Sequence, residues 1–450
     1  VGAGDIAGDK LGELDGRPVL VGACDRTNAE AVRRALAWTA PRIVGLKTSA
    51  GLGDRLGLAT PGHIRAARRC GRGLELILAQ QSIREMTRTH RTPEQVMDAA
   101  TWGVLQEGYT DGFGSDADHL QTLEDIDATV KAGFTMFTID PGAHVADDAD
   151  ELDGGDLADR YERLDFEALR ATPADLEKLY VGKTFPLEGG GSVAFDVRTF
   201  QRAAVKYGNA IAHTVRMFHH LRQAKAGGFE LEVSVDETQS PTSTAEHCFF
   251  ASELNRLGVE WNSMAPRFIG RFEKGVDYIG DIETFRASFA EHVAVMRTFG
   301  PYKLSIHSGS DKFSIYPVVA ALAEGMVHLK TAGTSYLEAI RAIARVRPGL
   351  FREILDFARR RYAADKATYH VSADIEKVPP ADSLADDELP ALLDDFDARQ
   401  ALHVTFGSVL TADEGERFRA RIYEVLETNE QAHYDALEQH LARHLAPFAK

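Results

Sequence analysis

Residues 230–239 read ELEVSVDETQ, and the fold is decided there. Leu231, Val233 and Val235 alternate with Glu232, Ser234 and Asp236, so one face of a strand is apolar and the other polar. The run ends in Asp236-Glu237-Thr238 and passes through SPTSTAEH into a helical stretch at 244–257. Outward from this unit the same grammar repeats. Strand-like runs occur at 18–24 (PVLVGAC), 42–47 (RIVGLK), 74–79 (LELILA), 134–139 (FTMFTI), 259–262 (VEWN), 303–307 (KLSIH) and 327–330 (VHLK). Helical periodicity fills 93–107, 199–226, 282–299 and 335–345. Strands alternating with helices imply βαβ units and a parallel sheet. Eight or so repeats favour a closed TIM-type (β/α)8 barrel over an open sheet.

Two regions break the repeat. Residues 143–194 carry DDADELDGGD and LEGGGS, and read as an acidic insertion over the barrel mouth or side. Residues 363–397 are acidic with Pro379-Pro380, and read as a surface crossing before two C-terminal helices at 411–426 and 429–444. The expected organisation is a catalytic barrel over 1–410 with C-terminal helices at 411–450 packed on it.

The chain has 450 residues and a net charge of −17, which opposes binding to nucleic acid or anionic membranes. Three cysteines, Cys24, Cys70 and Cys248, form no CxxC pair, and no apolar run is long enough for a span. The expectation is a cytoplasmic protein acting on a small molecule, with the C-terminal helices offering a homo-oligomer interface. GxSxG, P-loop and HExxH motifs are absent, and GAGDIA at 2–7 has no strand before it.

In a parallel barrel the chemistry sits at the C-terminal strand ends. Asp236 and Glu237 stand at such a tip and suit a metal ligand and a general base. In 303–313 (KLSIHSGSDKF), Ser305 and His307 face inward, Ser308–Ser310 form a small turn fit for an anion, and Lys312 adds charge. In 112–122 (GFGSDADHLQT), Asp116, Asp118 and His119 cluster before a helix; Asp N-caps are the competing reading. Carboxylate with imidazole suits Zn, Mn, Co or Ni better than Ca. The basic loop 264–281 offers Arg267, Arg271 and Lys274 for a carboxylate, beside the oxygens of Glu273 and Asp277. Asp140 and Lys47, at the ends of their expected strands, are weaker candidates for substrate binding, and His370 and His403 are further residues that could face inward.

These motifs together carry a family resemblance. SVDETQSPTSTAEHCFFASEL, APRFIGRFEKGVDYIGD, KLSIHSGSDKFSIYP, GSDADHLQTLEDID and VHLKTAGTSYLEAIR resemble the tagaturonate/fructuronate epimerases from about Val19 to Leu410. The resemblance implies interconversion of D-tagaturonate and D-fructuronate with a divalent metal, and weak action on ketohexoses. It implies Asp118 and Glu237 as the acid–base pair, His119 and His307 as metal ligands, and an acid as third ligand, with Asp277 preferred to Glu273 and Asp236. Retro-aldol chemistry is the expected route, since no dinucleotide fingerprint supports hydride transfer. The rivals are another metal-dependent sugar aldolase or isomerase, and a non-catalytic sugar-binding barrel.

Overall fold

A computed structural model describes residues 6–450. Its centre is a closed barrel of eight parallel strands, each paired with its neighbours in chain order. They are β1 (Ser49–Gly51), β2 (Glu75–Ser82), β3 (Gly114–Leu120), β4 (Met136–Ile139), β5 (Glu230–Ser234), β6 (Ser263–Ala265), β7 (Lys303–Ile306) and β8 (Val327–Lys330). β8 closes on β1 through His328, Leu329 and Lys330 opposite Ser49, Ala50 and Gly51. Around it lie α1 (Thr60–Cys70), α2 (Pro93–Glu107), α3 (Leu123–Ala132), α4 (Val197–Ala224), α5 (Thr244–Arg256), α6 (Ile282–Phe299), α7 (Tyr316–Ala323) and α8 (Thr334–Val346). Most of the apolar core is the annulus between strands and helices, where Leu231, Val233, Leu304 and Leu329 pack.

Local chemistry sets these helices. α2 opens on a Thr92/Gln95 capping box with Pro93 in its first turn and ends at Gly108 in the left-handed region. α3 and α5 open on the boxes Thr122/Asp125 and Ser243/Glu246. Beyond α8 come α9 (Pro348–Asp365), α10 (Phe396–Val404), α11 (Arg419–Thr428) and α12 (Glu430–Leu445). α12 lies so close on α1 that a Cβ at Gly62 would stand 2.7 Å from Leu437. Among the described residues no helix is long and apolar enough to cross a membrane.

Several expected elements move. GAGDIA falls largely outside the described residues. The run 18–24 belongs to an antiparallel hairpin, Asp9–Leu14 with Arg17–Val21, rather than to the barrel. Its turn is Asp15-Gly16, with φ of 52° and 74°, the two-residue signal that LDGR carries. The run 42–47 is no strand. Its Val44 and Gly45 amides donate to the Glu230 carboxylate at 2.9 Å each, and Val44 packs on Ile77 and Met136. It therefore plugs the N-terminal end of the barrel. In the place of these two runs stand β1, only three residues long, and β3 (GSDADHL). β6 starts one residue after the expected 259–262.

The insertion packs on the outside of α4 and α5 through short helices and the hairpin Lys183–Pro186/Ser192–Phe195. The stretch 363–397 is more than a surface crossing: Val378, Ala381, Leu389 and Leu393 are buried in a second apolar cluster with α8, α9 and α10. The expected helix at 411–426 is broken by left-handed Asp413 and Glu414, so α11 starts only at Arg419.

Candidate active site

The inner faces of the strands are polar to an unusual degree. Where such barrels are commonly filled by branched aliphatics, this one holds Asp116, Asp118, Thr138, Glu232, Ser305, His307, His328 and Lys330, all buried. Strand phase puts them there: Val327 and Leu329 face the helices, so His328 and Lys330 face in. At the end of β3 the register with β4 slips between Ala117 and Leu120, and His119 takes a left-handed backbone (φ 53°). That bulge turns the imidazole toward His307, with ring centroids 5.1 Å apart.

Lys330 is the hub. Its Nζ lies 2.8 Å from Asp116 Oδ2, 2.7 Å from Asp118 Oδ1 and 2.8 Å from Glu232 Oε1, and donates to Thr138 Oγ1 at 2.7 Å. Burial alone would depress this ammonium, but the three carboxylates hold it well above its usual range. Burial would raise Asp118; Lys330, His119 and His307 instead keep it below the usual carboxylate range. For Asp116 burial wins over Lys330 and its pKa rises to about 6.

His307 is clamped between Glu232 Oε1 (2.6 Å from Nε2) and Asp236 Oδ1 (3.2 Å from Nδ1). Burial and Lys330 push its pKa down, yet Asp236 and Glu232 leave it raised. His119 donates from Nδ1 to Asp140 Oδ2 at 3.2 Å; burial opposes its charge, but Asp118 and Asp140 carry its pKa to about 10. Glu237, half open at the mouth, pairs with Arg84 at 2.8 and 3.3 Å. Burial would raise its pKa, but His119 and Lys274 help to hold it below the usual value.

One ligand atom each from Asp118, His119 and His307 lies within 4.8 Å of the others. Glu232 Oε2 is buried with no hydrogen-bond partner, an acceptor short of a cation or donor. Three buried carboxylates, Asp116, Asp118 and Glu232, surround the buried ammonium of Lys330. Two imidazoles with a carboxylate fit a borderline divalent ion. A second His/Asp group, Asp311 with His440 and His444, does not fit one. There the Asp311 amide donates to His444 Nε2 and the Asp311 carboxylate binds Arg399 and His440, so protein donors fill it.

The structure thus brings Asp118, His119, Asp236, Glu237, His307 and Ser308 around one opening, with Arg267 and Arg271 on its outer wall. Asp140 stands behind His119 and orients it. Three of the expected residues lie elsewhere. Asp277 is exposed and accepts from Ser314 and the Tyr278 amide, so Asp118 rather than Asp277 stands third beside the two histidines. Lys312 is buried with Nζ donating to the carbonyls of Glu273, Val276 and Ser310, and burial pushes its pKa to about 7; it staples two loops. Lys47 pairs with Glu75 before β1, at the opposite end of the barrel. Glu273 is bound by Ser372 and Gln400. His370 lines the mouth, exposed, and His403 is buried in the inner chamber. The sequence reading missed Lys330, Glu232 and Arg84. Lys330 and Glu232 carried a signal, the inward phase of VHLK and ELEVS.

A family model described as tagaturonate epimerase (UxaE) matches residues 6–448. The tagaturonate/fructuronate epimerase of Thermotoga maritima is 44% identical over 424 residues, spanning 94% of this chain and 85% of the relative. The native crystal structure of the fructuronate-tagaturonate epimerase UxaE from Cohnella laeviribosi superposes with a TM-score of 0.92 at 39% identity, covering 99% of this chain and 89% of that one. Its form with one glycerol gives 0.91 at the same identity and the same coverage of both chains. With the match running through the barrel, the insertion and the C-terminal helices, the chain belongs to the tagaturonate epimerase family.

Proposed function

We propose that this chain interconverts D-tagaturonate and D-fructuronate, with weaker action on neutral ketohexoses, and that it needs a divalent cation such as Zn, Mn, Co or Ni. The observation that carries the reading is the convergence of Asp118, His119 and His307 beside Glu237, in a chain 44% identical to an enzyme of that name. Asp118, His119 and His307 would hold the ion, and it would supply Lewis-acid polarisation of the substrate's oxygens.

The two epimers differ at a carbinol one carbon beyond the α position of the ketone, so the ketone does not acidify that C–H. A retro-aldol route avoids the difficulty. A carboxylate takes the proton of the β-hydroxyl, the C–C bond between the α carbon and the carbinol breaks, and its electron pair passes to the ketone side as an enediolate. The aldehyde half turns its other face, the bond re-forms, and the carboxylic acid returns its proton to the new alkoxide. Glu237, held ionised by its cationic neighbours, is suited to take that proton. Glu237 would also return that proton to the new alkoxide, since Asp118, held ionised beside the two histidines, has none to give. Lys330 holds Asp118 in place and in charge. Proton NMR of tagaturonate with chelator-treated and metal-restored protein tests this. Conversion only after metal is restored, with a three-carbon aldehyde acid trapped during turnover, is expected; no conversion with any of the four metals refutes it.

A further inference from the structure

The inner chamber has a side that the chemistry above does not use. It is lined by Arg55, Lys274, Ser310, Gly333 and His403, and it opens onto Asp118, His119 and His307. α8 begins here at Gly333 with no side-chain cap, so its first-turn amides point out unclaimed by the helix. The His403 ring lies directly over Gly333: a Cβ there would stand 2.0 Å from His403 Cε1. Arg55, only 4% exposed, is fixed by Glu85, which accepts from its Nε at 2.8 Å and its Nη2 at 2.6 Å, and by stacking 3.6 Å from the centre of the Phe406 ring. Its Nη1 is buried with no partner, and so are His403 Nδ1 and Thr334 Oγ1. Polar atoms left bare in the interior are costly, and here most of them are donors around a helix N-terminus.

We propose that this chamber is the subsite for the substrate's carboxylate, held by Arg55 and the α8 N-terminus, and that it sets the preference for sugar acids over neutral sugars. The inference rests on the hexuronate reading above and assigns the carboxylate to Arg55 rather than to Arg267 or Arg271 at the mouth. D-Gluconate, a stable six-carbon sugar acid, and neutral sorbitol are the probes, titrated calorimetrically into the protein as purified. The charge-balanced Arg55→Gln/Glu85→Gln variant should bind gluconate about 10- to 100-fold more weakly, with sorbitol unchanged, the loss expected of a charge-assisted pair. Thr334→Val, which keeps volume, should cost about 3- to 10-fold, the size of one hydrogen bond, and decides the matter if the double variant does not fold. Unchanged gluconate affinity in these variants, or its loss in Arg271→Ala or Arg267→Ala instead, overturns the subsite. If gluconate binding depends on Arg55 but wild-type protein converts no tagaturonate, the subsite stands and the epimerase reading falls. If conversion occurs with an unaltered KM in the Arg55 variant, the reverse holds.

Discussion

Replacing Lys330 with Met keeps the apolar stem of the side chain and removes the ammonium, with its charge and its hydrogen bonds to Asp118 and Thr138. In the native protein that ammonium touches Asp116, Asp118 and Glu232 at 2.7–2.8 Å, all of them buried. Breaking a buried ion pair from one side costs about 3–5 kcal/mol, because the partner charge stays behind. Here three charges stay behind, so the upper part of that range is expected at pH 7. The cost must also depend on pH. In the wild type Lys330 helps to hold Asp118 and Glu232 below their unfolded values, a stabilisation present above those values and lost as pH falls through the folded ones. Without Lys330 these carboxyls, and Asp116 already at about 6, take up protons more readily in the fold than in the unfolded chain. The variant's deficit should therefore shrink as pH falls from 7 toward about 5. Urea unfolding of chelator-treated protein, followed by circular dichroism and by tryptophan fluorescence, gives the difference where the two transitions coincide. A loss below about 1 kcal/mol at pH 7, in the range of an exposed pair, or one equal at both pH values, would refute the account of Lys330 as hub.

Glu237→Gln should lower kcat by about 10²–10⁴-fold with little change in KM, the usual weight of a general base; a change under tenfold removes Glu237 from that role. Arg84→Ala should move the acid limb of the rate profile to higher pH, since Arg84 helps to hold the Glu237 pKa down; a shift to lower pH contradicts the pairing. His119, whose pKa is raised to about 10, is protonated at pH 7, so loading a divalent ion on it should release at least about one proton and tighten as pH rises. Calorimetry in buffers of different ionisation enthalpy reads that number, and a value near zero denies that ligand. Asp311→Ala leaves Arg399 and His440 with Glu338 as their remaining carboxylate, and should destabilise the chain by about 3 kcal/mol in urea, the lower end for a broken buried pair.

What was legible in the sequence was whatever depends on period. Strands with an apolar outer face, such as ELEVS and KLSI, announced themselves, and so did long capped helices such as Pro93–Glu107. β3 did not, because GSDADHL has almost no apolar residue to alternate with, and its polar side chains are the site itself. β1, three residues of SAG, is too short for any pattern. The run 42–47 has the letters of a strand, but its amides are taken by the carboxylate of Glu230, a partner 185 or more positions away. The same distance rule explains the site. His307 was reachable from strand phase. That Asp118 rather than Asp277 stands beside it follows from barrel closure and the His119 bulge, which no local spacing encodes. Lys312 was misread for another reason: a lysine after a glycine-serine turn looks available, and only the fold reveals three carbonyls around its amine.

The C-terminal helices are tied into the catalytic end of the barrel by charge as well as by apolar packing. The turn that follows β7 carries Ser308 and Ser310 into the site and places Ser308 and Asp311 in left-handed backbone, with φ of 48° and 65°. Such a conformation persists only where its surroundings over-determine it. Those surroundings are supplied by α10 and α12: Arg399 and His440 grip the Asp311 carboxylate at 3.0 and 2.6 Å, and His444 accepts its amide at 2.9 Å. α10 also carries His403 onto Gly333 at the head of α8. Glu338 of α8 ties the system together, meeting Arg399, His440 and Arg341. The barrel brings the histidines and carboxylates to one place, but the shape of the chamber beside them depends on helices more than 60 residues further along the chain. A change that loosened α12 would therefore reach substrate binding through the Ser308–Ser310 turn before it reached Asp118, His119 or Lys330.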